Sequence, residues 1–189
     1  MSAKGEKTRE YILNSSYALF ADKGYKQVTM KDVCEVTDMS RGGLYSHFSS
    51  TAELFEALLE KITKRDEVDF RDRIKNGESA TDILNDAFDG MEKEMKHQED
   101  SLSIAMYEYA QTVNSDVFER LYKISEKKWK ELIMYGIKNG EFNDVDADEI
   151  VNMILFSYQG VRMWSRIITI KTKTSRSILN NIRKQLMGE

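Results

Sequence analysis

Apolar residues recur at helical spacing along almost the whole chain, which predicts an all-α protein. One β-branched run, residues 167–170, is compatible with a strand. It continues an apolar helical stripe that starts at Ile150, however, and we therefore expect it to end a helix. The chain contains no proline, which fits long helices joined by short connections.

The pattern predicts about nine helices, with short ones near the start of the chain. Gly24 stands where the first helix should end, and Thr29 and Ser40 are good N-caps for the second and third. Ser50 and Glu53 have the spacing of a capping box, which opens the fourth. The predicted helices cover about residues 7–23, 30–36, 41–48, 51–75, 81–96, 101–112, 116–138, 147–170 and 175–186.

The second and third predicted helices are joined by the short turn Thr37-Asp38-Met39, and two helices joined in this way form a helix-turn-helix. We expect an N-terminal three-helix domain of this type over residues 1–50, and a larger C-terminal helical bundle over residues 51–189. In the third helix, Leu44 and Phe48 supply the buried face, so the small and polar side chains beside them are left for DNA.

Two adjacent glycines, Gly42 and Gly43, are unusual inside so short a helix. Each costs roughly 1 kcal/mol relative to alanine in a helix interior. We interpret them as letting the N-terminus of the helix approach DNA closely in the major groove. The alternative is that they belong to a frayed or capping turn.

The net charge of −4 argues weakly against nucleic-acid binding, but the charges are unevenly distributed. Residues 1–50 contain seven Lys/Arg and six Asp/Glu, residues 51–161 contain fourteen and twenty-five, and residues 162–189 contain seven and one. An acidic middle is compatible with a DNA-binding head whose basic groups lie on the contacting face, because local potential matters more than net charge.

The composition argues against several other classes of protein. The single cysteine, Cys34, excludes an intramolecular disulfide and a cysteine-based metal cluster, and we expect it to be a packing residue; no metal or cofactor is expected. Since no stretch is long and apolar enough to span a bilayer and no signal peptide is evident, a cytoplasmic location is the default expectation. With two histidines and no nucleophile elbow or phosphate loop, the chain is not expected to be an enzyme.

The segment around the helix-turn-helix resembles the tetracycline-repressor (TetR) family of bacterial regulators. The similarity covers about residues 8–60, whereas the remainder is similar only in helix number and length and in Gly140-Glu141-Phe142 before a long helix. The residues that carry the resemblance are Thr29-Met30, Val33, Val36-Thr37, the run Met39-Ser40-Arg41-Gly42-Gly43-Leu44-Tyr45, His47-Phe48 and Glu53-Leu54.

This resemblance implies a homodimer whose two recognition helices enter successive major grooves of a palindromic operator in double-stranded DNA. It also implies that residues 51–189 form a ligand-binding and dimerisation domain, in which a small-molecule effector binds and changes the spacing of the heads. Because repression relieved by ligand is the commonest mode in the family, the expected function is a repressor that a small lipophilic effector releases. A transcriptional activator, and a helical interaction protein without specific DNA binding, are the alternatives.

Position by position, the resemblance implies a set of DNA contacts. Thr29 corresponds to a cap that contacts phosphate, and Arg41 and Gly42 stand where base contacts are made. Tyr45 and His47 correspond to phosphate contacts. Three of these residues have an alternative interpretation. Arg41 would instead be a solvated surface side chain, and Tyr45 would be a core aromatic. His47 would make a charge interaction with the C-terminus of its own helix. The predicted DNA-binding residues are Thr29, Ser40, Arg41, Gly42, Gly43, Tyr45, Ser46, His47 and Thr51.

One position departs from the family pattern. The family often has a lysine at the start of the fourth helix, where this chain has Thr51. The Thr51 hydroxyl and the backbone amides of Ser50 and Thr51 are able to contact a phosphate, but a positive charge is missing. We therefore expect the salt dependence of DNA binding to be shallower than is typical.

The C-terminal domain is rich in methionine and aromatic residues, which suits an adaptable lipophilic pocket and equally suits a plain helix-bundle core. Gln159 is a candidate to orient a ligand by hydrogen bonding. Glu108, if it points inward, would attract a cationic ligand, which favours a cationic lipophilic effector slightly over a neutral or acyl one. The predicted ligand-binding residues are Met91, Met95, Tyr107, Met134, Phe156, Gln159 and Met163.

The last two predicted helices should pair with those of a second subunit as a four-helix bundle, on the basis of the resemblance and of their apolar stripes. The basic run in residues 162–184 has two interpretations. We favour a solvated face that complements the acidic middle of the partner subunit over a further contact with a polyanion. The predicted dimer-interface residues are Phe156, Val161, Trp164, Ile178, Leu179, Ile182 and Leu186.

Overall fold

A computed structural model describes residues 3–96, 101–113 and 115–188 of the chain. These residues form nine α-helices and no β-strand, so the predicted all-α class is confirmed. The helices are α1 (Ala3–Lys23), α2 (Met30–Thr37), α3 (Arg41–Tyr45), α4 (Thr51–Lys75), α5 (Ala80–Lys96), α6 (Ser103–Thr112), α7 (Val117–Lys138), α8 (Ala147–Ser165) and α9 (Thr172–Met187).

The predicted end of the eighth helix is wrong. α8 ends at Ser165, and residues 167–170 form a turn and an irregular connection. The amides of Ile167 and Ile168 both donate to the carbonyl oxygen of Trp164, each at 2.9 Å. This turn ends α8 five residues before the predicted end at Ile170, so the β-branched run is not part of the helix.

The chain divides into two compact units. Unit 1 comprises Met1–Ile62 with Glu99–Val117, and it contains α1, α2, α3, the first half of α4, and α6. Unit 2 comprises Thr63–Gln98 with Phe118–Glu189, and it contains the rest of α4 together with α5, α7, α8 and α9. The assignment of residues 51–189 to one ligand-binding and dimerisation domain stays a prediction.

An aromatic cluster fills the core of unit 1. The ring centroids of Phe20 and Phe55 lie 4.8 Å apart, and Tyr25 meets Tyr109 of α6 edge-on at 4.9 Å. All four side chains are buried, and each such burial contributes about 1.5–3 kcal/mol. The Tyr109 hydroxyl donates to Glu56, and burial together with this carboxylate raises the pKa of Tyr109 to about 12. The cluster therefore binds α6 to the N-terminal helices.

The core of unit 2 is built from one face each of α5, α7, α8 and α9. The Trp129 ring packs edge-on against Phe70 at 5.0 Å between centroids and lies 6.0 Å from Phe88. Aliphatic side chains that are almost completely buried complete this core, and they are Ile83, Leu84, Leu132, Ile133, Ile150, Val151, Ile154, Leu179, Ile182 and Leu186.

Basic residues of α9 pair with acidic residues of α5 in the same chain. Arg176 lies 2.8 Å from Glu92, and its hydrogen bond lowers the pKa of Glu92 to about 2. Arg183 lies 3.3 Å from Asp89. These two arginines therefore have counter-ions within the protomer, and the expectation that the basic run complements a partner subunit stays a prediction.

Glu141 closes the N-terminus of α5. Its carboxylate accepts hydrogen bonds from the Ser79 hydroxyl at 2.6 Å and from the amides of Ala80 at 3.0 Å and Thr81 at 2.9 Å. Burial alone would raise the pKa of this carboxyl, but the hydrogen bonds outweigh burial and lower it to about 2. The glutamate of Gly140-Glu141-Phe142 thus satisfies amides that a helix start leaves without partners.

Candidate nucleic-acid interface

Thr29 caps α2, and the cap is tied to α1. The Thr29 hydroxyl accepts from the amide of Asp32 at 3.2 Å, and the Asp32 carboxylate accepts from the amide of Thr29 at 2.8 Å. Lys23 of α1 donates to the same carboxylate at 2.7 Å. The hydrogen bonds from Lys23 and Thr29 hold the pKa of Asp32 well below its usual range. The N-terminus of α2 is therefore fixed by a charged carboxylate.

A sharp turn joins α2 to α3. Asp38 adopts the left-handed backbone conformation with φ 52°, which aspartate tolerates better than most residues. The amide of Met39 donates to the carbonyl oxygen of Cys34 at 3.2 Å, and Ser40 then caps α3 by accepting from the amide of Gly43 at 3.2 Å. The Ser40 hydroxyl thus positions the recognition helix.

The side chains of α3 separate into a buried and an exposed set. Leu44 and Phe48 are completely buried, as their spacing predicts. Arg41, Tyr45 and Ser46 are exposed, and the guanidinium carbon of Arg41 lies 5.5 Å from the centroid of the Tyr45 ring. The alternative that Tyr45 is a core aromatic is therefore wrong. α3 ends at Tyr45 rather than at Phe48, although the amide of Phe48 still donates to Leu44 at 3.0 Å.

The two glycines of α3 occupy different surroundings. A Cβ atom added at Gly42 would meet no atom within 4 Å, so this position borders open space on the exposed face. A Cβ atom at Gly43 would stand 3.2 Å from the Ser40 hydroxyl oxygen, closer than most such contacts. Gly43 therefore makes room for the cap, whereas nothing in the fold of the protomer requires a glycine at Gly42.

Arg9 of α1 has a role that no local sequence pattern indicates. Its Nη1 donates to the carbonyl oxygen of His47 at 2.7 Å, and its guanidinium carbon lies 3.9 Å from the centroid of the Phe48 ring. Glu53 lies 3.8 Å from the same guanidinium. Arg9 thus holds the C-terminal end of α3 from behind the exposed face.

The start of α4 follows the predicted capping box only in part. The Ser50 hydroxyl accepts from the amide of Glu53 at 3.2 Å, as predicted. The Glu53 carboxylate, however, accepts from the amide of Ser49 at 2.8 Å, one residue earlier than the box requires, and this bond lowers the pKa of Glu53. Thr51 is the first residue of α4 and is half-buried, and His47 is half-buried as well.

Glu108 does not point into a ligand site. Its carboxylate accepts from the backbone amide of Lys26 at 2.9 Å, within unit 1. Gly24, which has φ 76° after α1, lies so close that an added Cβ would stand 2.5 Å from the Glu108 carboxylate oxygen. The argument for a cationic effector rested on an inward Glu108, and that expectation is wrong because this charge holds α6 against the end of α1.

The residues predicted to line a ligand pocket differ widely in burial. Met95 is buried in the core of unit 2, and Met91 and Met163 are half-buried. Tyr107, in unit 1, is 58% exposed and Met134 is 51% exposed. Phe156 and Gln159 of α8 are exposed as well. These last four residues face solvent because of their position in the helical register. The abundance of methionine and aromatic residues in the sequence does not determine that register.

The residues predicted for a dimer interface fall into two groups. Leu179, Ile182 and Leu186 of α9, together with Val161, are buried in the protomer's own core and are not available to a partner. Trp164 and Phe156 of α8 are 56% and 63% exposed, and Ile178 is half-buried. The apolar surface of α8, not the apolar stripe of α9, is therefore free in the protomer.

A capped helix-turn-helix with an exposed polar recognition face, joined to a larger helical unit, is the arrangement of a DNA-binding transcriptional regulator. Residues 12–58 match the family described as bacterial regulatory proteins, tetR family. The uncharacterized HTH-type transcriptional regulator YfiR of Bacillus subtilis (strain 168) is 30% identical over 146 residues, which are 74% of this chain and 70% of that protein. The chain belongs to the TetR family of transcriptional regulators.

Further similarities agree with this assignment. The HTH-type transcriptional repressor KstR2 of Mycobacterium tuberculosis (strain H37Rv) is 25% identical over 150 residues, 77% of this chain and 75% of that protein. The structure of reduced NemR from E. coli has the same fold, with a TM-score of 0.81 at 12% identity over 97% of this chain and all of that chain. A TetR regulator from Haloarcula marismortui gives a TM-score of 0.73 at 22% identity, covering 95% and 96%.

The family and these relatives are transcriptional regulators and not enzymes. Among the helices of the described residues, none has the length and apolar character that crossing a membrane requires.

Proposed function

We propose that this protein is a homodimeric repressor that binds a palindromic operator through α2 and α3 and is released by a small-molecule effector. The observation that carries the proposal is the exposed face of α3, where Arg41, Gly42, Tyr45 and Ser46 stand over a fully buried Leu44. A helix anchored in this way is able to enter the major groove without disturbing its own core.

Arg41 is the residue we propose to read bases. It is the first residue of α3 and is exposed, and its guanidinium is able to donate a bidentate pair to guanine, worth about 1–3 kcal/mol of discrimination. The open space beside Gly42 would let the backbone of α3 approach the base edges. Tyr45, Ser46 and the start of α4 at Thr51 are proposed as phosphate contacts.

Dimerisation is proposed to use the free face of α8. Met153, Phe156 and Trp164 project apolar side chains to solvent, and Ile167 and Ile168 extend this surface beyond the helix. A Cβ atom added at Gly160 would meet nothing within 4 Å, so the same surface offers a place where a second helix is able to approach closely. An apolar surface of this kind on a regulator that binds a two-fold site suits a second copy of the chain.

The effector is proposed to bind unit 2. Met91, Met95 and Met163 remain candidates from the predicted set, because Met95 lies in the core of this unit, Met91 packs against that core, and Met163 of α8 is half-buried. Repression, rather than activation, is proposed because KstR2, with its 25% identity over 77% of this chain, is named a repressor.

The test measures the binding of the purified protein to DNA from around its own gene. Fluorescence anisotropy gives the affinity at each concentration of a salt series. We expect a dimer to bind a palindromic site, with an affinity that falls as salt rises. Arg41→Ala should abolish sequence preference, whereas Arg65→Ala, which removes an exposed arginine in unit 2, should not. Failure of the wild type to bind this DNA and a pool of random duplexes at low salt would contradict the proposal.

A further inference from the structure

Lys128 of α7 is a buried cation with incomplete pairing. Its side chain is 9% exposed, and its Nζ lies 4.7 Å from the centroid of the Phe70 ring and 5.4 Å from that of Trp129. The carboxylate oxygen of Asp66 lies 3.9 Å away, which is beyond hydrogen-bond distance. Burial lowers the pKa of Lys128, in spite of that carboxylate. An ammonium group with three donors is therefore held among aromatic rings with little to donate to.

Arg162 of α8 is a second interior cation with an unused donor. Its side chain is 15% exposed, and its Nη1 lies 2.6 Å from the Tyr158 hydroxyl and 3.4 Å from the Glu94 carboxylate. Its Nε is buried and has no hydrogen-bond partner, which is true of no other buried side-chain nitrogen or oxygen in the described residues. Such a donor is costly to bury without an acceptor.

Both cations contact side chains of the unit 2 core: Lys128 lies against Phe70 and Trp129, which belong to it, and Arg162 donates to Tyr158, which packs against it. Glu94 of α5 pairs with Arg162, and the charge of Glu94 also acts on Lys128. Phe70 and Trp129 provide an apolar aromatic surface at the lysine, from α4 and α7. Unit 2 therefore contains two cationic side chains that lack a full set of hydrogen-bond acceptors and lie beside aromatic rings. A ligand with an anionic group on an apolar body would supply acceptors to the cations and contact the rings.

We propose that the effector of this protein is an anionic amphiphile, with a carboxylate, sulfonate or phosphate head bound by Lys128 and Arg162 and an apolar body against Phe70 and Trp129. The proposal rests on the proposed function, in which unit 2 receives the effector, and it replaces the cationic effector that the sequence favoured. An incoming anion would supply the acceptor that Arg162 Nε lacks and a closer counter-ion for Lys128 than Asp66.

The test compares two fluorescent probes that differ by one charge. Anilinonaphthalene sulfonate is an anion on an apolar body, and N-phenylnaphthylamine is the same body without the sulfonate. In Lys128→Met we expect the affinity for the sulfonate to fall roughly tenfold, as for the loss of one charged hydrogen bond, with the affinity for the neutral probe unchanged. The matched control is Lys130→Met, because Lys130 lies on the same helix but is exposed and paired with Asp148 at 2.6 Å.

Lys128→Met should fold, because Asp66, the carboxylate nearest to Lys128, is 41% exposed and stays hydrated when the cation is removed, and the melting temperature checks this. Lys128→Gln provides a second variant, and Arg162→Gln should reduce the same charge preference. The proposal is overturned if these variants bind the sulfonate as tightly as the wild type does. Binding to operator DNA without probe is measured in parallel, so a regulator that fails to bind DNA is distinguished from one that lacks an anion site.

Discussion

Arg9 donates a hydrogen bond to the backbone carbonyl of His47 at 2.7 Å, across 38 positions of the sequence. The same guanidinium covers the ring of Phe48, so one side chain of α1 fixes two of the residues that follow α3. The orientation of the recognition helix therefore depends on a residue outside the helix-turn-helix motif.

We predict that Arg9→Met lowers the free energy of unfolding by about 1–2 kcal/mol, because a charged hydrogen bond and a cation–π contact are lost. Operator binding should weaken uniformly across sequences, since Arg9 positions α3 without reading bases. Urea denaturation and fluorescence anisotropy measure the two effects. Lys7→Met, an exposed change in the same helix, is the control, and equal stability of the two variants would show that the Arg9 contacts contribute nothing.

The two glycines of α3 should respond in opposite ways to alanine. Gly42→Ala is expected to raise the free energy of unfolding by about 0.5–1 kcal/mol, because its Cβ meets only open space and alanine favours the helix. Gly43→Ala should lower it, since its Cβ crowds the Ser40 cap at 3.2 Å.

Measuring operator affinity as well as stability distinguishes an effect on folding from an effect on DNA binding in these two variants. If Gly42 faces the major groove, Gly42→Ala is more stable than the wild type but binds the operator more weakly. Thermal denaturation with anisotropy on the same samples decides this, and full affinity in Gly42→Ala would remove this position from the interface.

The Glu141 cap predicts a defined acid sensitivity. Its pKa is about 2 in the folded protein against an ordinary value of 4.5 in the unfolded chain. Its contribution to stability is therefore complete above about pH 5 and is lost as the pH falls through the folded pKa. Glu141→Gln should cost about 1–2 kcal/mol at neutral pH.

The difference in the free energy of unfolding between the wild type and Glu141→Gln should shrink as the pH is lowered from 4.5 toward 2. Urea denaturation at each pH measures this difference. Glu131→Gln, which changes an exposed carboxylate of α7, provides the matched comparison. A constant difference over this range would mean that ionisation of Glu141 does not stabilise the α5 cap.

The free face of α8 makes the oligomeric state testable. Trp164→Glu should shift the protein from dimer to monomer, because a charge would be buried against the apolar surface of a second copy. Met134→Glu changes a side chain of similar exposure on α7 and should remain dimeric. Light scattering after size-exclusion chromatography measures both, and a dimeric Trp164→Glu would place the interface elsewhere.

Local signals predicted much of this molecule. The caps at Thr29 and Ser40 and the buried pair Leu44 and Phe48 depend on residues within a few positions of one another, and the sequence pattern therefore identified them. The ends of most helices follow from the same kind of signal. The turn after Ser165 is an exception, because its β-branched residues fit a helix stripe equally well.

Contacts between distant segments were not predictable in this way. The pairing of Glu108 with the amide of Lys26 joins residues 82 positions apart, and nothing local to either residue indicates it. The apolar stripe of α9 was visible in the sequence, but periodicity does not distinguish a stripe that packs on the same chain from one that packs on a second chain. Leu179 and Ile182 prove to pack on the same chain.

The membership of α6 in unit 1 has a consequence for the construction of chimaeric regulators. The chain enters unit 2 after Ile62, returns to unit 1 for α6, and leaves it again after Val117. A head transplanted as residues 1–62 alone would lack Tyr109, which covers Tyr25 and Phe55 in the aromatic core. A chimaera that exchanges the whole head between relatives therefore needs three crossover points, so that α6 is transferred as a separate segment. Alternatively, operator specificity is exchanged by point changes on the exposed face of α3 alone.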